Sequence, residues 1–374
     1  MVIKKTKKEY GIILFLIIII QTACVKTIQP PQSILSTTSE SSGLTPFVDG
    51  SGESLVLSNF PQRIVIAGKQ TPMLVDFFYL FPDQEQKTVG FEKRLQTVQD
   101  FLRIIDPQAE SKMNIDKDAG PEQIAPLEPD LVILKTVMKK NLGDSLKLLG
   151  IPVLYVDFEN PEQIARDITN MGNVLDQKER AVEINNMFSH WIDDVVSTTG
   201  NFSESEKPKV LILQASERGA EIAFDVPPAS WLQTQVVELA GGIPVWIESA
   251  QIGGWATVGL EQIAAWDADK IIIINYAGNS QENVEEIKRD PTWSNFNAVQ
   301  AEQIFGFPGD FISWDQPDPR WVLGLKWMAG ILHPDVFQFG IDEVKEFYVN
   351  FYSLEEDTIE NQIFPLLYGS LSGF

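Results

Sequence analysis

Between Gly120 and Leu134 the chain reads GPEQIAPLEPDLVIL: mixed polar and apolar positions, then an unbroken apolar run. The same pattern returns 139 residues later as LEQIAAWDADKIIII, from Leu260 to Ile274. Glu122, Gln123, Ile124, Ala125 and Asp130 find their counterparts in Glu261, Gln262, Ile263, Ala264 and Asp269. Each copy predicts a short helix, opened by Pro121 or Leu260 with acidic charge in the first turn where the helix dipole favours it. A Pro-Asp or Ala-Asp step ends the helix. The Val/Ile/Leu run that follows predicts a parallel strand covered on both faces.

The flanking pattern repeats too. Ahead of the first copy come a strand at Arg63 to Ala67, a helix from Pro72 to Leu80 and a strand at Lys87 to Gly90. Lys209 to Gln214, Trp231 to Ala240 and Pro244 to Ile247 precede the second copy in the same order. After each copy a helix leads to another strand: Asn141 to Leu149 then Val153 to Val156, and Val284 to Ala298 then Gln303 to Phe307. The alternation predicts an α/β protein of two Rossmann-like lobes with parallel sheets, their ligand-facing loops at the carboxyl ends of the strands.

A different period fills the gap between the lobes. Asn160 caps, Pro161 takes the first helical position, and Ile164, Ile168, Met171 and Leu175 form an apolar stripe. Near Asp176 the pattern can restart, with Ile184, Phe188, Trp191 and Val195 as its stripe. A helix of about 20 residues reaches about 30 Å, so a single long connecting helix can cross from lobe to lobe. The expected division is residues 1–23 signal peptide, 24–54 anchor and tether, 55–158 first lobe, 159–200 connecting helices, and 201–374 second lobe with terminal helices.

Composition narrows the function. A length of 374 residues suits two α/β lobes. The formal charge of −23 argues against nucleic acid or an anionic membrane surface as partner. Two histidines, His190 and His333, and the single Cys24 leave no material for structural zinc, a disulfide or Cys-His catalysis. The Lys4, Lys5, Lys7, Lys8 cluster followed by the apolar Ile12 to Ile20 predicts a secretory signal peptide, its apolar run short of the roughly 20 residues that span a bilayer. Thr22-Ala23-Cys24 resembles a bacterial lipobox, with Gln21 where that pattern prefers Leu; Cys24 would then carry lipid. Cleavage before it leaves a formal charge of −26. From Val25 to about Glu53, Ser, Thr, Pro, Gln and Gly predict a flexible tether.

The order of several further stretches carries a family resemblance: the two EQIA-plus-strand units, RDPTWSNFNAVQAEQIFGFP from Arg289 to Pro308, WDQPDPRWVLGLKWMAGILHPDVF from Trp314 to Phe337, and FYVNFYSLEEDTIENQIFPLLYG from Phe347 to Gly369. From about Pro61 onward the chain resembles the substrate-binding proteins of ABC importers for iron complexes, haem and cobalamin. The resemblance implies an extracytoplasmic protein, lipid-anchored through Cys24, that delivers a metal chelate to a permease and its ATPase, with no catalysis and no cofactor of its own. Transferred to strand-end loops, it puts the ligand against Lys69, Gln70, Phe91, Lys135 and Thr136 in the first lobe. In the second lobe it selects Arg218, Trp231, Trp255, Tyr276, Trp314 and Arg320. It also implies that Glu122 and Glu261 dock the two lobes onto the permease, although a glutamate there equally complements a helix N-terminus.

Arg320 stands out among these. Asp318 and Pro319 can open a helix there, and a cation at a helix start calls for an anionic ligand group or for a neighbour such as Asp315 or Asp318. Trp255 beside Gly253-Gly254 and Trp314 before a Pro-rich turn are placed to face a large, flat or apolar-rimmed chelate. Ferric siderophore leads the ligand candidates, followed by corrinoid or haem, with Tyr276 or Tyr155 as the axial supplier for haem, and then a molybdate-like oxyanion held by Arg320 and Arg218. A bare metal ion would want several histidines, and no G-x-S-x-G, phosphate-cradling loop or H-E-x-x-H motif speaks for an enzyme. A ligand sensor without transport would have the same sequence features.

Overall fold

The computed structural model describes residues 45–93, 101–218, 221–250 and 253–371, apart from the side chains of 217, 218, 221 and 222. Twelve strands are assigned: β1 Phe47–Val48, β2 Ser54–Leu55, β3 Ile64–Ile66, β4 Thr88–Phe91, β5 Leu131–Lys135, β6 Val153–Val156, β7 Lys209–Arg218, β8 Glu221–Val226, β9 Ile243–Pro244, β10 Ala256–Val258, β11 Lys270–Ile274 and β12 Ile304–Gly306. The first large sheet runs β4-β3-β5-β6, all parallel. Every residue of β3, β5 and β6 is buried, as their continuous apolar runs require.

The second sheet runs β10-β8-β7-β11-β12, with β9 also paired to β7. Strands β7, β9, β11 and β12 are mutually parallel, but β8 and β10 are antiparallel additions. Thus β7 does not stop at Gln214 as its apolar run implies. It continues to Arg218 and turns back as β8, which Thr257 of β10 grips by donating to buried Asp225 at 2.6 Å.

The echoed units match in backbone as well as in sequence. Gly120 and Gly259 are extended caps of their helices, and Glu128 and Asp267, again 139 residues apart, both adopt the left-handed conformation at φ 49° and 46°. The repeated aspartate staples strands. Asp130 accepts from the N–H groups of Gln62 and Arg63, both at 2.8 Å, and Asp269 accepts from Lys209 N–H at 2.7 Å. Asp130→Ala is therefore expected to cost about 1–2 kcal/mol and Asp269→Ala about half that, two donors being orphaned in one case and one in the other. Urea denaturation of both variants would show it, and equal losses would refute the pairing account.

Between the sheets lie two antiparallel helices, Pro161–Leu175 and Lys178–Thr199, in place of one rod. Asn160 caps the first by accepting from Gln163 N–H. Asp176, expected to cap the second, instead ends the first in the left-handed conformation at φ 58°. Gly172 lets the two approach, since a Cβ there would sit 2.4 Å from the Ala181 methyl. The stripe of Ile184, Phe188, Trp191 and Val195 is buried as expected, while His190 lies exposed beside it. Arg180 ties the ensemble together, donating to the carbonyls of Leu80 and, from the helix Ile341–Tyr352, Phe351. One continuous apolar core joins both sheets, this connector and the Ile341–Tyr352 helix.

The tether expected to reach Glu53 ends earlier. Residues β1 and β2 form an antiparallel pair held against β6: Gly50 N–H donates to the Tyr155 carbonyl, and buried Asp49 accepts from Tyr155 N–H. Glu53 is bonded by Lys139 and Lys147, both at 2.5 Å, and their hydrogen bonds hold its carboxyl down to about 2. The signal peptide, Cys24 and most of the tether lie outside the described residues, and no helix among the described residues is long and apolar enough to cross a membrane.

Candidate functional site

A cavity of about 520 Å³ opens at the carboxyl ends of β11 and β12, where a parallel sheet presents its loops. Its lining comes from the turn after β11 (Asn275, Tyr276, Ala277, Gly278, Asn279), from the segment after β12 (Asp310 to Ser313, and Gln316) and from Tyr368. Asn275 shapes the turn by accepting from the N–H groups of Ala277 and Gly278, and Asn279 caps the helix Ser280–Arg289. Tyr368 reaches the wall because its backbone pairs with Gly309 in both directions. Any side chain at Gly309 would collide with it, a Cβ there lying 2.3 Å from the Tyr368 hydroxyl.

An aromatic series flanks the opening. The Trp255 ring meets Tyr276 edge-on at 6.1 Å and Trp231 edge-on at 5.6 Å, all three half-buried. Beneath Tyr276 lies Asp315, fully buried, accepting from the Tyr276 hydroxyl (2.5 Å), Gln233 Nε2 (3.1 Å) and Ser313 Oγ (2.5 Å). Burial pushes its carboxyl up to about 6 against the pull of those three hydrogen bonds, and burial together with Asp315 raises the Tyr276 phenol well above its ordinary value. A second recess of about 460 Å³ lies at the connector, among Pro161, Thr199, Lys207 and Glu238, toward the amino end of β7 instead of the carboxyl ends.

Of the residues expected at the ligand, Trp231, Trp255 and Tyr276 stand together at this opening. Lys69 is exposed and Gln70, at φ 57°, half-buried on the loop after β3; Thr136 is half-buried after β5; none of these lines the cavity. Phe91 is core, its ring against Tyr79 at 6.1 Å. Lys135 is buried too, its ammonium donating to the Asp157 carbonyl and pairing with Glu159 at 2.6 Å. The Arg218 side chain falls outside the described residues. Tyr155 is fully buried in β6, beneath Lys147, and cannot serve as an axial ligand.

Two expectations need firm correction. Trp314 does not face the opening: it is fully buried and its indole donates to Asp310 at 3.2 Å. Arg320 is fully buried as well, and it points into the protein instead of the cavity. Its guanidinium contacts Asp76 at 2.6 Å, Asp318 at 2.7 Å, Asp310 at 3.2 Å and the Tyr348 hydroxyl at 2.8 Å, and stacks over Phe101 at 4.3 Å. The neighbouring-carboxylate alternative thus holds, with Asp76 from the helix Thr71–Phe78 as the partner that no local spacing reveals. Sequence reading passed over Gln233, Asp310 and Tyr368, and named Asp315 only as a neighbour for Arg320. Tyr368 arrives through a contact 59 positions away from Gly309. Glu122 and Glu261 are exposed in matching first turns.

Two α/β lobes presenting an aromatic, polar cavity at strand ends define a solute-binding protein. The chain belongs to the periplasmic binding protein family, whose profile matches residues 85–311. It is similar to a vitamin B12-binding protein of Salmonella choleraesuis strain SC-B67, 24% identical over 212 residues that span 56% of this chain and 72% of the relative. In fold it is similar to a periplasmic solute binding protein from Veillonella parvula DSM 2008, with TM-score 0.68, 24% identity, and 86% and 97% of the two chains covered. The Haemophilus influenzae molybdate periplasmic binding protein MolA, solved with molybdate bound, gives TM-score 0.64 at 17% identity over 83% of this chain and 98% of that one. The family places the protein outside the cytoplasm.

Proposed function

We propose that this protein captures an organic metal chelate of neutral or positive charge, a ferric siderophore or a corrinoid, in the cavity beside Tyr276. The single observation that carries the reading is the lining: tyrosine, amide, hydroxyl and apolar groups and the Asp310 carboxylate, with no Lys or Arg among the described lining residues. An oxyanion would need converging cationic or N–H donors, and Arg320 is committed to carboxylates. Haem finds little support, because the Tyr276 hydroxyl is committed to Asp315. The vitamin B12-binding relative supports the corrinoid option. Delivery would follow by docking to a permease and its ATPase through Glu122 and Glu261, with a lipid on Cys24 keeping the protein at the membrane.

The test is titration of the purified protein with a ferric trihydroxamate, cyanocobalamin, haemin and molybdate, following tryptophan emission. One of the first two is expected to change it saturably, and Trp255→Ala to weaken that ligand about tenfold or more, as loss of about 1–2 kcal/mol of aromatic contact implies. Response to molybdate alone would overturn the reading.

A further inference from the structure

We propose that Asp315 sets the charge preference of the cavity, making it select cationic over neutral forms of the same chelate. The inference rests on the site assignment above and adds the residue that discriminates. Three other buried carboxylates sit against cations: Asp106 against Lys112 at 2.7 Å, Asp167 against Arg166 at 2.8 Å, Asp310 against Arg320 at 3.2 Å; buried Asp49 is held instead by Ser51 and the Tyr155 N–H, away from the cavity. Asp315, fully buried, is held by three neutral donors, and no described Lys or Arg pairs with it. A buried charge without a countercharge is costly and is kept where something else compensates it.

Geometry directs that charge toward the cavity. Two of the three donors, Tyr276 and Ser313, are themselves wall residues, so the carboxylate lies one side chain behind the surface a ligand would touch. With its O–H donated to Asp315 and its oxygen accepting from Gln233 Nε2 at 3.3 Å, Tyr276 offers the cavity its ring face, which attracts positive charge. No opposing field comes from behind the neighbouring wall, where three carboxylates surround the single guanidinium of Arg320. A cationic group bound over Tyr276 would supply the missing countercharge.

The experiment compares pairs that differ by one charge and in little else: a ferric trihydroxamate with a free ammonium tail against its N-acetylated form, and aquo- against cyanocobalamin, each titrated at pH 7.5. Wild type is expected to favour the cationic member about tenfold, the scale of one Coulombic contact through a partly screened interior. Asp315→Asn should bring that ratio to near one. Ser313→Ala, which removes a donor and leaves the charge, should preserve the ratio even if both affinities fall, and it serves as the folded control should the Asn variant not fold. Equal binding of both members by wild type would overturn the inference and leave the chelate reading intact. Failure of every chelate to bind wild type would overturn both.

Discussion

Arg320→Ala is expected to lower the melting temperature by about 4–7 °C. Removing one partner from a buried ionic cluster costs about 3–5 kcal/mol, and a unit of this size unfolds with an entropy near 0.7 kcal/mol per degree. The cost is large because of what remains: Asp76, Asp310 and Asp318 would share a dry site with no cation. Burial already holds the Asp76 carboxyl well above its ordinary value despite Arg320, so the cluster has little capacity for further negative charge. Asp76→Ala should also destabilise, and the double variant should lose at least about 1 kcal/mol less than the sum, since the two share one contact. Calorimetry of the four proteins measures both quantities. A shift under 1 °C for Arg320→Ala would return that residue to the list of ligand contacts, because only a poorly buried arginine is removed so cheaply.

The second large effect belongs to Asp315 and follows pH. Its folded carboxyl titrates near 6 against an ordinary 3.8, so between those values the folded protein holds more protons than the unfolded chain. Stability therefore falls as pH rises from about 4 and is fully spent above about 6, by roughly 3 kcal/mol for a difference of about two pH units. Asp315→Asn keeps the shape and removes the titration. The variant should match wild type near pH 4 and exceed it by as much as about 3 kcal/mol at pH 7, less whatever the amide loses in hydrogen bonding to Ser313 and Tyr276. Urea midpoints across pH 4 to 7.5 would display the divergence, and parallel curves would show that this carboxyl is not perturbed. A residue that costs this much at neutral pH fits a functional requirement.

How far the sequence leads depends on whether a signal is local. The echo around Glu122 and Glu261, its flanking repeat and the connector's apolar stripe are local and periodic, and β5, β6, β11 and the buried face of the Lys178–Thr199 helix follow from them within a residue or two. Loop positions after strands were legible as positions, which is how Tyr276 came to be singled out, while Trp255 was marked by Gly253-Gly254 beside it. Their partners were not, because Gln233, Asp315 and Tyr368 converge on one point from three separate regions of the chain. The Arg320 stretch was misjudged for a related reason. Residues Gly306 to Leu323 are buried throughout, polar ones included, and polarity in a sequence reads as exposure until a distant Asp76 and Tyr348 are seen to satisfy it. The β1–β2 pair escaped notice because its strands are two residues long, too short to show an alternating pattern, and are held by β6.

The wall contributed by Tyr368 bears on how the protein matures during export. Ser370 exchanges hydrogen bonds with Gly306, and Trp327 donates to the Ser370 carbonyl, so the residues around position 370 complete a rim begun almost 100 positions earlier at Asn275. Contacts so distant along a chain close late in folding. A polypeptide whose last residues have yet to emerge would have both sheets largely assembled yet lack a competent pocket, so cargo can load only once the chain is whole.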